Sequence, residues 1–278
     1  AAARQQRVEL RNPCFAEYAD WFPSTRHDLW CRYREHLDVD RRGEAQPRSE
    51  VRPSKRSRMM LMRGVSMASK LAHVGGINSR HLRVLSLRSG ETCELDSEAF
   101  CDQASSASTL LLRGWLFRSQ RIMEHREAIS RFFALDHDDR SHIDDHIRRC
   151  RQQGDVVVGV HVRRGDYRSF QGGRYFYDDA TYSAWMHTIR ERLQPYRVHF
   201  LVCSHEPLDA KPYQGLSITH GPGSARTDLY ALAETDWMIG PPSTFTAWAA
   251  FIGLKPRLEL TSSDQPLEIP TFTPARAA

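Results

Sequence analysis

The sequence predicts an α/β protein whose second half is a doubly wound, mainly parallel sheet. Three observations predict it. Residues 156–162 form a near-continuous apolar run built on Val156, Val157, Val158, Val160 and Val162, as expected of a strand buried on both faces. Downstream of that run, strand-like and helix-like stretches alternate as far as residue 252. The chain has 278 residues, 40% hydrophobic and 26% charged, which suits one large domain or two smaller ones and argues against disorder throughout.

The elements follow in order. Residues 7–12 read as a short strand closed by Pro13, and the aromatic stretch Phe15–Phe22 as a turn or short helix. Residues 38–58 are rich in Arg, contain Pro47 and Pro53 and hold few apolar residues, so they read as a loop or disordered insert. Apolar structure restarts at Met59–Met62. Residues 82–87 alternate as a strand, Asp96–Gln103 reads as a short helix and Thr109–Leu112 as a buried strand. Residues 121–133 have helical spacing, and a charged helix spans about 140–152. In the second half, helices are expected at Tyr182–Arg192, Asp228–Glu234 and Phe245–Ile252. Strands are expected at Val156–Val162, His199–Cys203, Leu216–His220 and Trp237–Ile239. Trp115, Trp185 and Trp248 read as core or cleft aromatics.

Charge narrows the function classes. Lys and Arg number 39 against 34 Asp and Glu, a net charge of +5, and 35 of the cations are arginine. Arginine's planar fork suits phosphate and carboxylate, although genome composition explains the bias equally well. Residues 41–63 carry eight cations against Glu44 and Glu50, more than the whole chain's net charge. That segment has no Phe, Tyr or Trp, which weakens a nucleic-acid reading. The six cysteines are scattered without a CxxC pair and read as free thiols. No run of about 18 apolar residues encodes a membrane span, and no signal pattern is present. His142 and His146, four apart, fit a solvated helix face better than a metal site.

Two short stretches carry the candidate chemistry. His161-Val162-Arg163-Arg164-Gly165-Asp166-Tyr167 lies at the carboxyl end of the Val strand, where open α/β sheets bind ligands. Two arginines there can hold a diphosphate, and Gly165 lets the backbone turn. The plainer reading is a charged turn. Pro242-Ser243-Thr244-Phe245 follows the Trp237–Ile239 strand and opens a helix. Ser243 or Thr244 would cap that helix, whose N-terminus favours anions. Asp228 and Asp236 bracket the preceding helix. Asp228 could be an N-cap or could accept the N–H donors of a guanine.

His161–Tyr167 resembles the HxRRGDY motif of the α1,2-fucosyltransferases and their bacterial relatives, and more distantly the α1,6- and protein-O-fucosyltransferases. Asp228-Leu229, Asp236 and Ser243–Trp248 resemble the late motif of that family, and the likeness spans about residues 155–253. Gly114–Arg118 and Phe15–Ala19 resemble a bacterial subgroup. The resemblance implies a GT-B-like fold of two Rossmann-like domains. The first, residues 1–150, would be the acceptor-side domain, incomplete at its N-terminus and carrying the basic insert at about 38–58. The second, residues 151–278, would bind the nucleotide sugar.

The implied activity is inverting, metal-independent transfer of fucose from GDP-fucose, as donor substrate, to a sugar hydroxyl of a glycan, with no cofactor. By the same resemblance, Arg163 and Asp166 are catalytic. His161, Arg163, Arg164, Asp228, Asp236, Ser243, Thr244 and Phe245 bind the donor. Apart from the resemblance, the polar Gly loop just after the arginine motif, with Gln171, Arg174 and Tyr175, reads either as an acceptor-side or lid loop or as a plain connection. Asp166 is left between supporting the arginines and acting as base. The Gly-rich loop that usually opens such enzymes is absent, and the chain begins with Ala1. It is therefore expected to lack an upstream segment and to be less stable than a complete relative. A cytoplasmic location is expected, with peripheral contact to a membrane or a lipid-linked acceptor left open. The alternatives are a catalytically inactive sugar-nucleotide or glycan-binding relative and, more remotely, a nucleic-acid-binding protein using residues 41–63.

Overall fold

The computed structural model describes residues 8–33 and 51–270. The chain divides into two compact units, Ala1–Asp136 and His137–Ala278. The division falls upstream of the boundary expected at 150, because the charged helix belongs to the second unit.

The first unit departs from a Rossmann-like sheet. Its described strands are short and form two separate parallel pairs. β1 (Arg83–Ser86) pairs with β3 (Leu110–Arg113), and β2 (Cys93–Glu94) pairs with β4 (Phe117–Arg118). No strand of either pair is fully buried, and Leu112 and Trp115 are exposed, against the expectation of a buried strand and a packed indole. Residues 8–12 form no strand; Arg11 makes one isolated antiparallel bridge to Arg32. The aromatic stretch forms two 3-10 turns, Pro13–Glu17 and Ala19–Trp21. Phe15, Phe22, Phe132 and Phe133 pack ring to ring there, with centroids 4.9–5.9 Å apart.

Residues 38–50 of the basic insert lie outside the described residues. Residues 55–58 are helical rather than loop. α1 (Lys55–Val74) starts at Ser54, whose side chain accepts the Ser57 N–H, and includes the expected Met59–Met62 stretch. α2 (Glu98–Ser105) is capped the same way by Ser97. The helical stretch at 121–133 splits into a 3-10 turn, Ile122–His125, and α3 (Arg126–Phe132).

The second unit is the predicted doubly wound sheet. β5 (Val156–Val162), β6 (Val198–Ser204), β7 (Ile218–His220), β8 (Trp237–Gly240) and β9 (Arg257–Glu259) are all parallel, in the order β7-β6-β5-β8-β9. The chain leaves β5 to one side for β6 and β7, then returns across it for β8 and β9. The switch in direction opens a crevice between the carboxyl ends of β5 and β8.

The two faces of β5 follow its two-residue alternation. Val156, Val158, Val160 and Val162 join Phe200, Val202, Trp237 and Ile239 in the main core. α5 (Asp179–Arg192) covers that face with Tyr182, Trp185, Met186 and Ile189, spaced i, i+3, i+4 and i+7. Burying each such side chain stabilises the fold by roughly 1.5–3 kcal/mol. α4 (His137–Gln153) buries Ile143, His146, Ile147 and Cys150 at the same spacing. α6 (Ala225–Ala233) and α7 (Thr244–Gly253) pack closely, since a Cβ on Gly253 would collide with the Ala233 carbonyl. All six cysteines are free thiols. No helix among the described residues is long and apolar enough to cross a membrane.

Candidate functional site

The two sequence-flagged stretches meet at the crevice between β5 and β8. The Tyr167 hydroxyl donates to the Pro242 carbonyl, tying the arginine turn to the loop that opens α7. Ser243 is the N-cap of α7, and its Oγ accepts the Phe245 N–H at 3.1 Å. Arg257 on β9 braces the same loop, donating to the Ser243 carbonyl and to Thr246 Oγ1, each at 3.2 Å. Thr244 is exposed on the first turn.

His161 and Arg163 alternate with the core valines and lie on the α7 side. The His161 ring stacks on Phe245, with centroids 4.8 Å apart and planes at 25°. His161 is 6% exposed, and its Nδ1 has no hydrogen-bond partner among the described residues. Burial, with the charges of Arg163 and His205 nearby, pushes its pKa down to about 3, so the ring is neutral at physiological pH. Arg163 pairs with Asp166 at 2.8 Å and lies over the Tyr167 ring at 5.2 Å. Its Nε is buried and unpartnered among the described residues. Asp166 is 62% exposed.

Arg164 does not join this group. It continues the alternation of Val160 and Val162 and points to the α5 side. There it donates to the Tyr177 carbonyl at 2.9 Å and pairs with Asp179 at 2.6 Å. With its side chain only 7% exposed, its guanidinium is taken up by the scaffold rather than offered to a donor phosphate.

Gly165 has φ +57°, which glycine tolerates, and the turn aims its N–H at Glu206 Oε1, 3.1 Å away. Glu206 also pairs with Arg168 at 2.7 Å. The loop after β6 thus supports the arginine turn from behind. Glu206, Tyr177, Asp179 and Arg257 lie outside both motif stretches. The signal for Glu206 was available: it lies two residues past a strand's carboxyl end.

The two aspartates separate. Asp228 is not an N-cap, because Ser224 caps α6 in a capping box with Thr227. Asp228 sits in the first turn of α6, near Cys203 at the end of β6 and Gly221 after β7, on the carboxyl edge of the sheet. Its Oδ1 accepts the Gly223 N–H at 3.0 Å, and burial raises its carboxyl pKa. Asp236 lies at the opposite edge. It is 4% exposed, pairs with Arg151 at 3.1 Å and accepts the Val157 N–H at 2.8 Å. Six residues of strand separate Val157 from Arg163, about 20 Å. Asp236 is a structural clasp at the amino ends of β5 and β8, and its assignment to the donor is corrected.

On the expected acceptor side, Gln171 has φ +49° and leads into Gly172 and Gly173 at positive φ. Arg174 lies over the Tyr175 ring at 5.3 Å. It also lines an open groove of about 510 Å³ with Phe176, Tyr177, Asp178, Thr181 and Thr261–Ser263. Gln171 and Tyr175 do not line that groove. No group of three or more His, Cys, Asp and Glu among the described residues is arranged to hold a metal ion. His146 instead has its Nε2 2.8 Å from the His220 carbonyl oxygen.

The buried histidines predict a pH dependence. An unfolded histidine titrates near 6.5. Folded His161 stays neutral down to about 3, and folded His199, depressed mainly by burial, down to about 4. As pH falls the unfolded chain takes up protons that the folded chain refuses. The contribution of these two histidines to stability is therefore complete above about pH 6.5 and is lost progressively as pH drops toward 3. Calorimetric melting across this range should show Tm falling with acidity, and His161→Gln should reduce the slope. An unchanged slope in that variant would contradict the assignment.

No known protein-family profile matches the chain, and no curated protein matches its sequence. Among solved structures, a point mutant of Arabidopsis thaliana FUT1 in complex with GDP is similar at a TM-score of 0.42 and 14% identity. The match covers 66% of this chain and 52% of that one, so the chain spans about half the length of that protein.

Proposed function

We propose that the chain is a glycosyltransferase that takes fucose from GDP-fucose and passes it, with inversion, to a sugar hydroxyl of a glycan. One observation carries the reading. Arg163 and the capped N-terminus of α7 converge on the switch-point crevice, joined through Tyr167 and Pro242. A cation and a helix N-terminus facing one crevice suit a diphosphate. The resemblance of His161–Tyr167 and Ser243–Trp248 to fucosyltransferase motifs selects the donor.

In this reading Arg163 and the positive N-terminus of α7 hold the diphosphate. The bond between fucose C1 and the β-phosphate oxygen breaks as the acceptor oxygen bonds to C1 from the opposite face. The electron pair of the broken bond stays on GDP, where Arg163 stabilises the charge. This chemistry does not call for a divalent ion. The diphosphate competes with Asp166 for Arg163 and frees that carboxylate to take the acceptor proton. Neutral His161 and Phe245 present a stacked pair of rings. Asp228, on the same edge, is suited to accept guanine N–H donors.

The experiment is donor turnover. The chain is incubated with GDP-fucose, GDP-mannose and UDP-galactose, and nucleotide release is followed with and without a glycan pool. Release of GDP from GDP-fucose, faster with glycans present, is the expected outcome. Release from UDP-galactose alone would refute the donor assignment.

A further inference from the structure

We propose that α1, in the first unit, is a docking surface for an anionic lipid bilayer. The inference is independent of the donor-site reading. α1 is a 20-residue helix, about 30 Å long. Its inner side carries Arg58, Ser69 and Ala72, all buried. Arg58 anchors the helix to the unit's core, donating to Asp20 and to the Arg26 carbonyl.

The outer side is apolar where a surface helix is ordinarily polar. Met60, Met67, Leu71 and Val74 are between 58% and 78% exposed. At about 100° per residue they fall within about 60° of one another, nearly opposite the buried side. Arg56, Arg63 and Lys70 run directly beside this stripe and are exposed. None of the three makes an ion pair with another described residue. The helix, KRSRMMLMRGVSMASKLAHV, contains no Asp or Glu.

An exposed apolar stripe edged by cations is the pattern of a helix lying in the plane of a membrane interface. The stripe enters the boundary between headgroups and acyl chains, and the cations meet the anionic headgroups. Charge decides between this occupant and others. A second copy of the same face would set cations against cations with no carboxylate to answer them. A nucleic acid would meet the cations but would leave four apolar chains unused, and α1 has no Phe, Tyr or Trp for a base to stack on.

The test is co-sedimentation of the full chain with vesicles. One set is phosphatidylcholine alone, and the other mixes three parts phosphatidylcholine with one part phosphatidylserine. Partitioning into the serine-containing vesicles should exceed that into the neutral ones by at least about tenfold, and salt should weaken it. Arg63→Gln and Lys70→Gln should each reduce it by about fivefold. The double substitution Met67→Ser, Leu71→Ser should reduce it several-fold, with an unchanged circular dichroism spectrum, since these positions are exposed. Equal binding to both vesicle types would overturn the proposal. So would anionic binding untouched by the serine double variant. Binding to a single-stranded oligonucleotide that needs the cations but not the stripe would favour a nucleic-acid surface. A dimer in sedimentation velocity that Leu71→Ser dissolves would favour self-association.

Discussion

Arg163→Ala should abolish measurable transfer and weaken GDP binding by one to three orders of magnitude. Arg163 is the one guanidinium of the pair that faces the crevice, since Arg164 is held by Tyr177 and Asp179. Its present partner, Asp166, is exposed and exchangeable. A guanidinium–phosphate contact in a partly desolvated site is worth about 2–4 kcal/mol, which sets the expected range. Arg163→Lys should recover only part of the loss, because an ammonium cannot form the bidentate fork. The matching change at Arg164 should act differently. Arg164→Ala removes a buried partner of Asp179 and should lower Tm first, with binding lost as a consequence of the disturbed turn. Isothermal titration with GDP, beside calorimetric melting, separates the two. Equal effects of both variants on affinity with no change in Tm would contradict the division of labour.

The second large effect concerns Asp236. Asp236→Ala should destabilise the second unit by about 3 kcal/mol, because it strips Arg151 of its carboxylate and leaves the Val157 N–H unanswered. Arg151 retains some solvent access, which places the loss at the low end for a broken buried pair. For a unit of this size Tm should drop by about 6–12 °C. Below that melting point GDP affinity should remain at the level of the unsubstituted protein, because the clasp lies across the sheet from the crevice. Loss of GDP binding with an unaltered Tm would restore Asp236 to the donor.

Much of the second unit was legible in the residues. The Val run, the arginine turn and the Pro242–Phe245 stretch are local signals, and each maps onto one strand end or one cap. Strand direction and alternation decide the remaining residues. An aspartate placed directly before a strand sits at the strand's amino end, so the rule that drew attention to Arg163 also excludes Asp236. Alternation separates Arg163 from Arg164: one follows His161 to the α7 side, the other follows Val162 to the α5 side. Asp228 was displaced from the cap because Ser224 and Thr227 form the stronger local motif. The first unit was less legible. Its strands are two to four residues long and only partly buried, too short for periodicity to identify a layer. The supports of the site, Glu206 from the loop after β6 and Arg257 from β9, reach it from segments distant in sequence, and only the sheet order brings them together.

The central claim is that the crevice between β5 and β8 binds a guanosine diphosphate. Calorimetric titration of the chain with GDP, UDP and CDP tests it without requiring an acceptor. The account predicts that GDP binds at least about tenfold more tightly than either pyrimidine nucleotide and that Arg163→Ala removes the difference. UDP binding as tightly as GDP, or GDP binding untouched by Arg163→Ala, would contradict it.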